Sequence, residues 1–180
     1  GTIDLKKAII SKFKNENNKD YKWPLDSNSI EFTFSSSVME HVKNIREFAK
    51  ENSRVLLKGG YSIHYFPCRF ALFEAHTGIP FGGIFINKSY YKLMTFLRIC
   101  RKDFRNYKYA YSYMKFSTNY LKKSKIIEIF SQSNLEFIDE RNELIIKYIG
   151  PKFTKKFAEI KFFVTIFGIF RSKLLIFKKI

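Results

Sequence analysis

Apolar and polar positions along this chain change period several times, and each change marks a boundary between a strand and a helix. Ile30 to Phe34 is short and rich in β-branched and aromatic residues, the pattern of a strand, and three serines follow it. Val42, Ile45, Phe48 and Ala49 recur at helical spacing within Val42 to Arg54, which predicts an amphipathic helix beginning near Val38 and capped by the serines. Gly59 and Gly60 are expected to turn the chain into a buried strand over Tyr61 to Phe66. Periodicity then disappears from Pro67 to Gly83, and a loop of that length is usually functional or disordered.

Helical spacing returns over Lys88 to Arg101, and Tyr107 to Tyr120 mixes aromatic and polar positions. A helix from Ser124 to Ser133, capped by Ser124, leads into the strand LEFIDER. A helical region around Pro151 to Phe170 precedes the closing strand KLLIF. At the other end TIDL reads as a strand end, and KKAIISKFK as a helix with Ala8, Ile9 and Phe13 on its apolar side. A polar linker from Asn15 to Asp20 and a turn-rich stretch from Trp23 to Ser29 follow. Strands alternating with helices predict an α/β sheet in a single domain spanning residues 1–180.

Charge adds a second layer. Lys and Arg total 33 against 16 Asp and Glu, a formal net charge of +17. Such a surface attracts polyanions and anionic membranes without specificity. The same excess of Lys, Asn, Ile, Phe and Tyr is also what an AT-rich genome produces with no partner required. The basic residues are scattered and no RNA-binding motif accompanies the tyrosines, so no specific nucleic acid is expected. Cys68 and Cys100 lack CxxC or metal-ligand spacing, which implies a reducing, cytoplasmic compartment, argues against structural zinc and predicts no metal site. The opening residues do not read as a signal peptide, and none is expected. The apolar run Phe162 to Phe170 falls well short of the roughly 20 residues a bilayer crossing needs, so it is read as a buried helix or an interfacial face, with peripheral membrane contact as the outer limit.

Candidate chemistry concentrates between Glu31 and Phe81, which holds all three histidines, His41, His64 and His76. A strand, a small-residue turn, a helix and a second strand are how an open α/β sheet presents a ligand crevice. His76, with Glu74 two residues away, could take a proton from an acceptor, or could simply pack the loop. Glu40 and His41 stand in the first turn after a strand, where Glu40 would also serve as a helix-start acid. His64 alternates within a strand and reads as a core or edge histidine. The segment carrying Tyr107, Tyr109, Tyr111, Tyr113 and Tyr120 could line a ligand channel, stack on RNA bases or, the better reading, form a helical cover over the site, within a helical and aromatic stretch over residues 84–120.

Four blocks carry a family resemblance. The run WPLDSNSIEFTFSSSVMEHV resembles the LPF-DxSFDxVxSxxVLEHV pattern of class I S-adenosylmethionine-dependent methyltransferases of the type 11 group. REFAKENSRVLLKGGYSIHYFP resembles that group's helix followed by RVLKPGG and the fifth strand. FALFEAHTGIPF resembles the ExHxGxPF loop of members acting on larger, often sugar- or lipid-linked, acceptors. NYLKKSKIIEIFSQSNLEF is similar to the YLTxxEIxxLLxxAGF helix and sixth strand. Together the blocks run from about Trp23 to Arg141, in the family's order.

The resemblance implies a Rossmann-like methyltransferase sheet with helices on both faces, N-terminally truncated, with an insertion after the fifth strand. It also implies S-adenosylmethionine as cofactor and a small-molecule, glycan or lipid-linked acceptor methylated on oxygen or nitrogen. Homo-oligomers are an open expectation. Asp4 would bind the ribose hydroxyls, Asp20 the adenine amine and Trp23 the adenine ring, with Ser36, Ser37, Glu40 and His41 beside the methionine end. His76 and Glu74 would serve the acceptor. The sequence departs from the family in having no glycine between Gly1 and Gly59, where GxGxG should cradle the cofactor. A methyltransferase-like binding or partner protein without catalysis is therefore the competing expectation.

Overall fold

The computed structural model describes residues 22–149 and 152–180. The expected TIDL strand, the helix bearing Ala8, Ile9 and Phe13, the linker Asn15 to Asp20, and the cofactor contacts of Asp4 and Asp20 lie outside the described residues.

Among the described residues four strands form one mixed sheet: β1 (Ile30–Ser36), β2 (Leu56–Pro67), β3 (Leu135–Glu140) and β4 (Ser172–Lys179), in the spatial order β1-β2-β4-β3. β1 and β2 run parallel, and β4 inserts antiparallel to both β2 and β3. The parallel pair requires a crossover, which α1 (Ile45–Val55) provides. Val42, Ile45, Phe48 and Ala49 are all buried, so the amphipathic spacing marks the core face correctly.

The cap differs from expectation. Ser36 is still paired with Tyr65 in the β1–β2 ladder, and the Ser37 N–H donates to the Tyr65 carbonyl at 2.8 Å. Neither serine caps the short 3₁₀ turn Met39–His41, which has no side-chain cap. The helix starts later, on Asn44, whose side chain accepts the Glu47 N–H at 3.3 Å.

Gly59 and Gly60 do not precede the second strand; they lie within it. Ile30 pairs with Leu56 while Phe32 pairs with Tyr61, so β2 carries extra residues opposite β1. Gly59 has φ +83°, and a Cβ on Gly60 would stand 2.7 Å from the Glu31 carbonyl oxygen. Backbone conformation at one glycine and close strand approach at the next make the pair a bulge.

The main core lies where α1 and α4 (Lys123–Ser131) pack on the sheet, with Phe130 stacked on Phe177 at 4.4 Å and Leu56, Leu135 and Leu175 fully buried. Ser124 sits inside α4 and does not cap it; Lys122 occupies the cap position without a side-chain bond. A second core of Ile79, Tyr91, Phe104, Ala110 and Met114 joins α2 (Lys88–Phe96) and α3 (Tyr107–Ser117) to the loop after β2. After β3 comes a single turn, α5 (Asn142–Leu144), and later α6 (Lys161–Phe170).

Of the two readings of the apolar run, a buried helix or an interfacial face, α6 excludes the buried helix. Phe162 is 75% exposed, and only Gly168 is buried. A ten-residue helix that is apolar all round presents more faces than the start of β4 and the α5 turn can cover. Among the described residues no helix is long and apolar enough to cross a membrane.

Candidate active site

The segments leaving the carboxyl ends of β1 and β2 meet, and they bring His41 and His76 together. The loop after β2 is organised around one buried carboxylate. The Glu74 N–H donates to the Ile79 carbonyl at 3.0 Å, the Gly78 N–H donates back to the Glu74 carbonyl at 2.9 Å, and Phe73 bridges Pro80. Gly78 closes this turn at φ +69°, a conformation that favours glycine.

Glu74 points inward and gathers donors from three directions. Its Oε2 accepts the backbone N–H groups of His76 (3.0 Å) and Thr77 (2.6 Å) and the Thr77 hydroxyl (2.8 Å). Its Oε1 accepts the Tyr120 hydroxyl at 2.6 Å and meets His76 Nδ1 at 2.7 Å. Burial pushes this carboxyl up, but the hydrogen bonds from His76, Tyr120 and Thr77 outweigh it and hold its pKa down at about 2. An ionised Glu74 accepts only, so His76 carries its proton on Nδ1 and turns Nε2 away from the carboxylate. The charge raises the pKa of the Tyr120 hydroxyl, after burial the main cause of that shift.

His41 is oriented in the same way by a different acceptor. Its Nδ1 lies 2.6 Å from the Ser117 carbonyl at the end of α3, which again places the proton on Nδ1. The two Nε2 atoms then face each other at 3.0 Å, their rings edge to face with centroids 4.8 Å apart. Tyr113 of α3 closes one side, its ring 5.5 Å from that of His76. Glu40 completes the group: its Oε1 is 3.8 Å from both Nε2 atoms. The side chain is almost wholly buried, and neither carboxylate oxygen has a hydrogen-bond partner. Burial raises its pKa, against weaker opposing pulls from its own backbone N–H, which lies outside hydrogen-bond geometry, and from His41 and His76.

Behind Glu40 lies a cavity of about 270 Å³, mostly apolar, lined by Met39, Phe66, Cys68, Tyr120 and Ile126 among others. Lys123 and Lys173 stand at its wall and pair with Glu140 at 2.5 and 3.2 Å.

The other candidates fall elsewhere. Ser36 is a strand residue, and Ser37 takes the left-handed turn (φ 53°) that follows it. Trp23 packs edge-on against Phe48, and its backbone N–H donates to Glu51. His64 is fully buried between Ser35 and Ser62, each hydroxyl 2.7 Å from one ring nitrogen. Thr77 and the Ser117 carbonyl belong to the site and were not singled out by sequence, while Tyr120 was marked only as one residue of a tyrosine-rich segment.

A family model described as a methyltransferase domain matches residues 3–64. Over those residues the chain is similar to the type 11 methyltransferases. In the matched segment lie β1, Glu40, His41 and α1, while the His76 loop follows it. No curated protein sequence matches the chain significantly. Among solved structures, an S-adenosylmethionine-dependent methyltransferase from Mesorhizobium loti is 9% identical, over 86% of this chain and 64% of that one, with TM-score 0.49. The methyltransferase in a complex with the Trm112 activator from Haloferax volcanii is 11% identical, over 87% and 57%, with TM-score 0.45. Geranyl diphosphate C-methyltransferase from Streptomyces coelicolor is 13% identical, over 88% and 50%, with TM-score 0.46. The chain thus spans between half and two thirds of the length of these three structures.

Proposed function

We propose that the protein transfers a methyl group from S-adenosylmethionine to an oxygen or nitrogen of a small-molecule, glycan or lipid-linked acceptor. The observation that carries this is the placement of His41 and of the Glu74-oriented His76 in the segments that follow the carboxyl ends of two parallel strands, where open α/β sheets bind ligands. Methyl transfer from a sulfonium is an in-line displacement with an activated leaving group, so the protein mainly positions reactants and excludes water. His76 Nε2 is the proton acceptor for the acceptor's O–H or N–H, and Glu74 stabilises the imidazolium that results. Glu40, His41, Ser36 and Ser37 line the cofactor side, with Asp4, Asp20 and Trp23 on the adenosine.

The apolar cavity behind Glu40 suits the body of the acceptor, and a cover by residues 84–120 is supported by Asn119 and Tyr120, which line it. An acceptor with an anionic group would be drawn to the basic surface, which has no further specificity. Two measurements test the proposal. Titration calorimetry should detect S-adenosylmethionine binding, and labelled methyl should pass to an acceptor from a panel of sugars and lipid-linked sugars. His76→Gln should lower the transfer rate by about 10²–10⁴-fold while cofactor affinity stays. An absence of cofactor binding at millimolar concentration would refute catalysis by this chain and favour a non-catalytic partner role.

A further inference from the structure

We propose that Glu40, His41 and His76 form a binding site for one divalent transition-metal cation, with zinc the best match. Three independent features converge on it. First, the hydrogen bonds of the two imidazoles leave two proton-free nitrogens opposed at 3.0 Å: Nδ1–H of His41 is committed to the Ser117 carbonyl and Nδ1–H of His76 to Glu74. Two neutral acceptors at that distance repel, and a cation between them turns the repulsion into coordination. Second, the Glu40 carboxylate is 1% exposed at its side chain and unpartnered at both oxygens, although buried polar groups are nearly always satisfied. Third, the spacing fits. Nε2 of each histidine is 3.8 Å from Glu40 Oε1. An ion equidistant from the three atoms would sit about 2.1 Å from each, against the roughly 2.0–2.2 Å of zinc bonds to imidazole and carboxylate.

The surroundings are those of a ligand set. His76 is backed by the Glu74 carboxylate and His41 by a backbone carbonyl, the outer partners that orient metal-binding imidazoles. Two neutral imidazoles and one carboxylate leave a divalent ion with a residual positive charge, and two nitrogens with one oxygen favour zinc, iron(II) or cobalt(II) over magnesium or calcium. The histidine side chains are 28% and 16% exposed, so one face of the ion stays open to water or to an acceptor. Cysteine spacing carried no hint of this, because none of the ligands is a cysteine. The inference goes beyond the proton-acceptor role given to His76 above. A nitrogen that binds a cation cannot also take a proton, so in the loaded protein His76 would act as a ligand, and the ion would lower the proton affinity of a coordinated acceptor hydroxyl, whose proton would leave to water on the open face.

The test reads metal binding directly and needs no methyl transfer. The full chain is stripped with chelator and titrated with zinc by calorimetry, and with cobalt(II) by visible ligand-field absorption. The expected result is one equivalent bound, with a rise in melting temperature. Affinity should fall by more than about 100-fold in His41→Ala and His76→Ala, and by about 10–100-fold in Glu74→Gln. Glu40→Gln, which preserves shape, covers the case in which a histidine variant fails to fold, and it too should weaken binding by at least about 10-fold. Cys68→Ser and Cys100→Ser should bind as the parent does. Absence of cation binding, or binding unchanged in Glu40→Gln and in a folded His41→Ala, would overturn the proposal. Loss of methyl transfer with intact zinc binding would instead sink the proposed function and leave the site standing.

Discussion

His64 makes this fold sensitive to mild acid, and the size of the effect follows from its surroundings. The imidazole projects from β2 and is fully buried under α1 and α4, packed on Phe48 and Phe130 with ring centroids 5.4 and 5.2 Å away. Ser35 and Ser62 satisfy its two nitrogens, but no carboxylate bonds to it to stabilise a charged ring. Burial therefore pushes its pKa down to about 3, from the 6.5 of a free histidine. The unfolded chain takes up this proton below about pH 6.5 and the folded protein only near pH 3. Stability is thus fully present above the unfolded pKa and falls with decreasing pH, by about 1.4 kcal/mol per unit. Between about pH 7.5 and about pH 5 the loss from this one group is about 2 kcal/mol, a large share of the 5–15 kcal/mol typical of a domain.

The assay is urea unfolding followed by the fluorescence of Trp23, the single tryptophan, at several pH values across that range. His64→Gln keeps a hydrogen-bonding group of similar reach but cannot take up the proton. It should be less stable than the parent near neutrality, through lost aromatic packing, yet its stability should decline with acid by about 2 kcal/mol less. Every other titrating group is common to both proteins, so the difference isolates His64. Parallel pH profiles for parent and variant would refute the assignment of buried, uncharged histidine.

Two further outcomes follow from the packing. Gly60→Ala should destabilise by about 1–3 kcal/mol, because its Cβ would meet two backbone carbonyl oxygens, those of Glu31 and Leu57, at 2.7 and 2.9 Å; an unchanged melting temperature would show that the bulge can open. Burial pushes the Cys68 thiol up to about 11, and Sγ–H donates to the Gly168 carbonyl at 3.0 Å, so in the native protein at neutral pH thiol reagents should label Cys100 first and Cys68 only on unfolding. Equal labelling rates would contradict that burial.

Sequence alone carried the information that depends on near neighbours. The apolar spacing of Val42, Ile45, Phe48 and Ala49 marked the buried face of α1, because a helix returns to the same side every three to four residues whatever it packs against. The strands β1 to β4, the methyltransferase resemblance and the pairing of His76 with Glu74 were legible for the same reason. Tertiary structure decided what depends on distant segments. Whether Gly59 and Gly60 turn the chain or bulge a strand rests on how closely β1 approaches, and whether α6 is buried rests on how much of it the sheet end covers. The site shows the division most clearly. His41 and His76 are separated by 35 residues, and Tyr120 reaches Glu74 across 46, meetings that periodicity cannot encode. They arise because parallel strands release their following segments on one edge of the sheet, and the helices after β2 fold back over that edge. Only that closure strips water from Glu40 and leaves its carboxylate beside two opposed imidazole nitrogens.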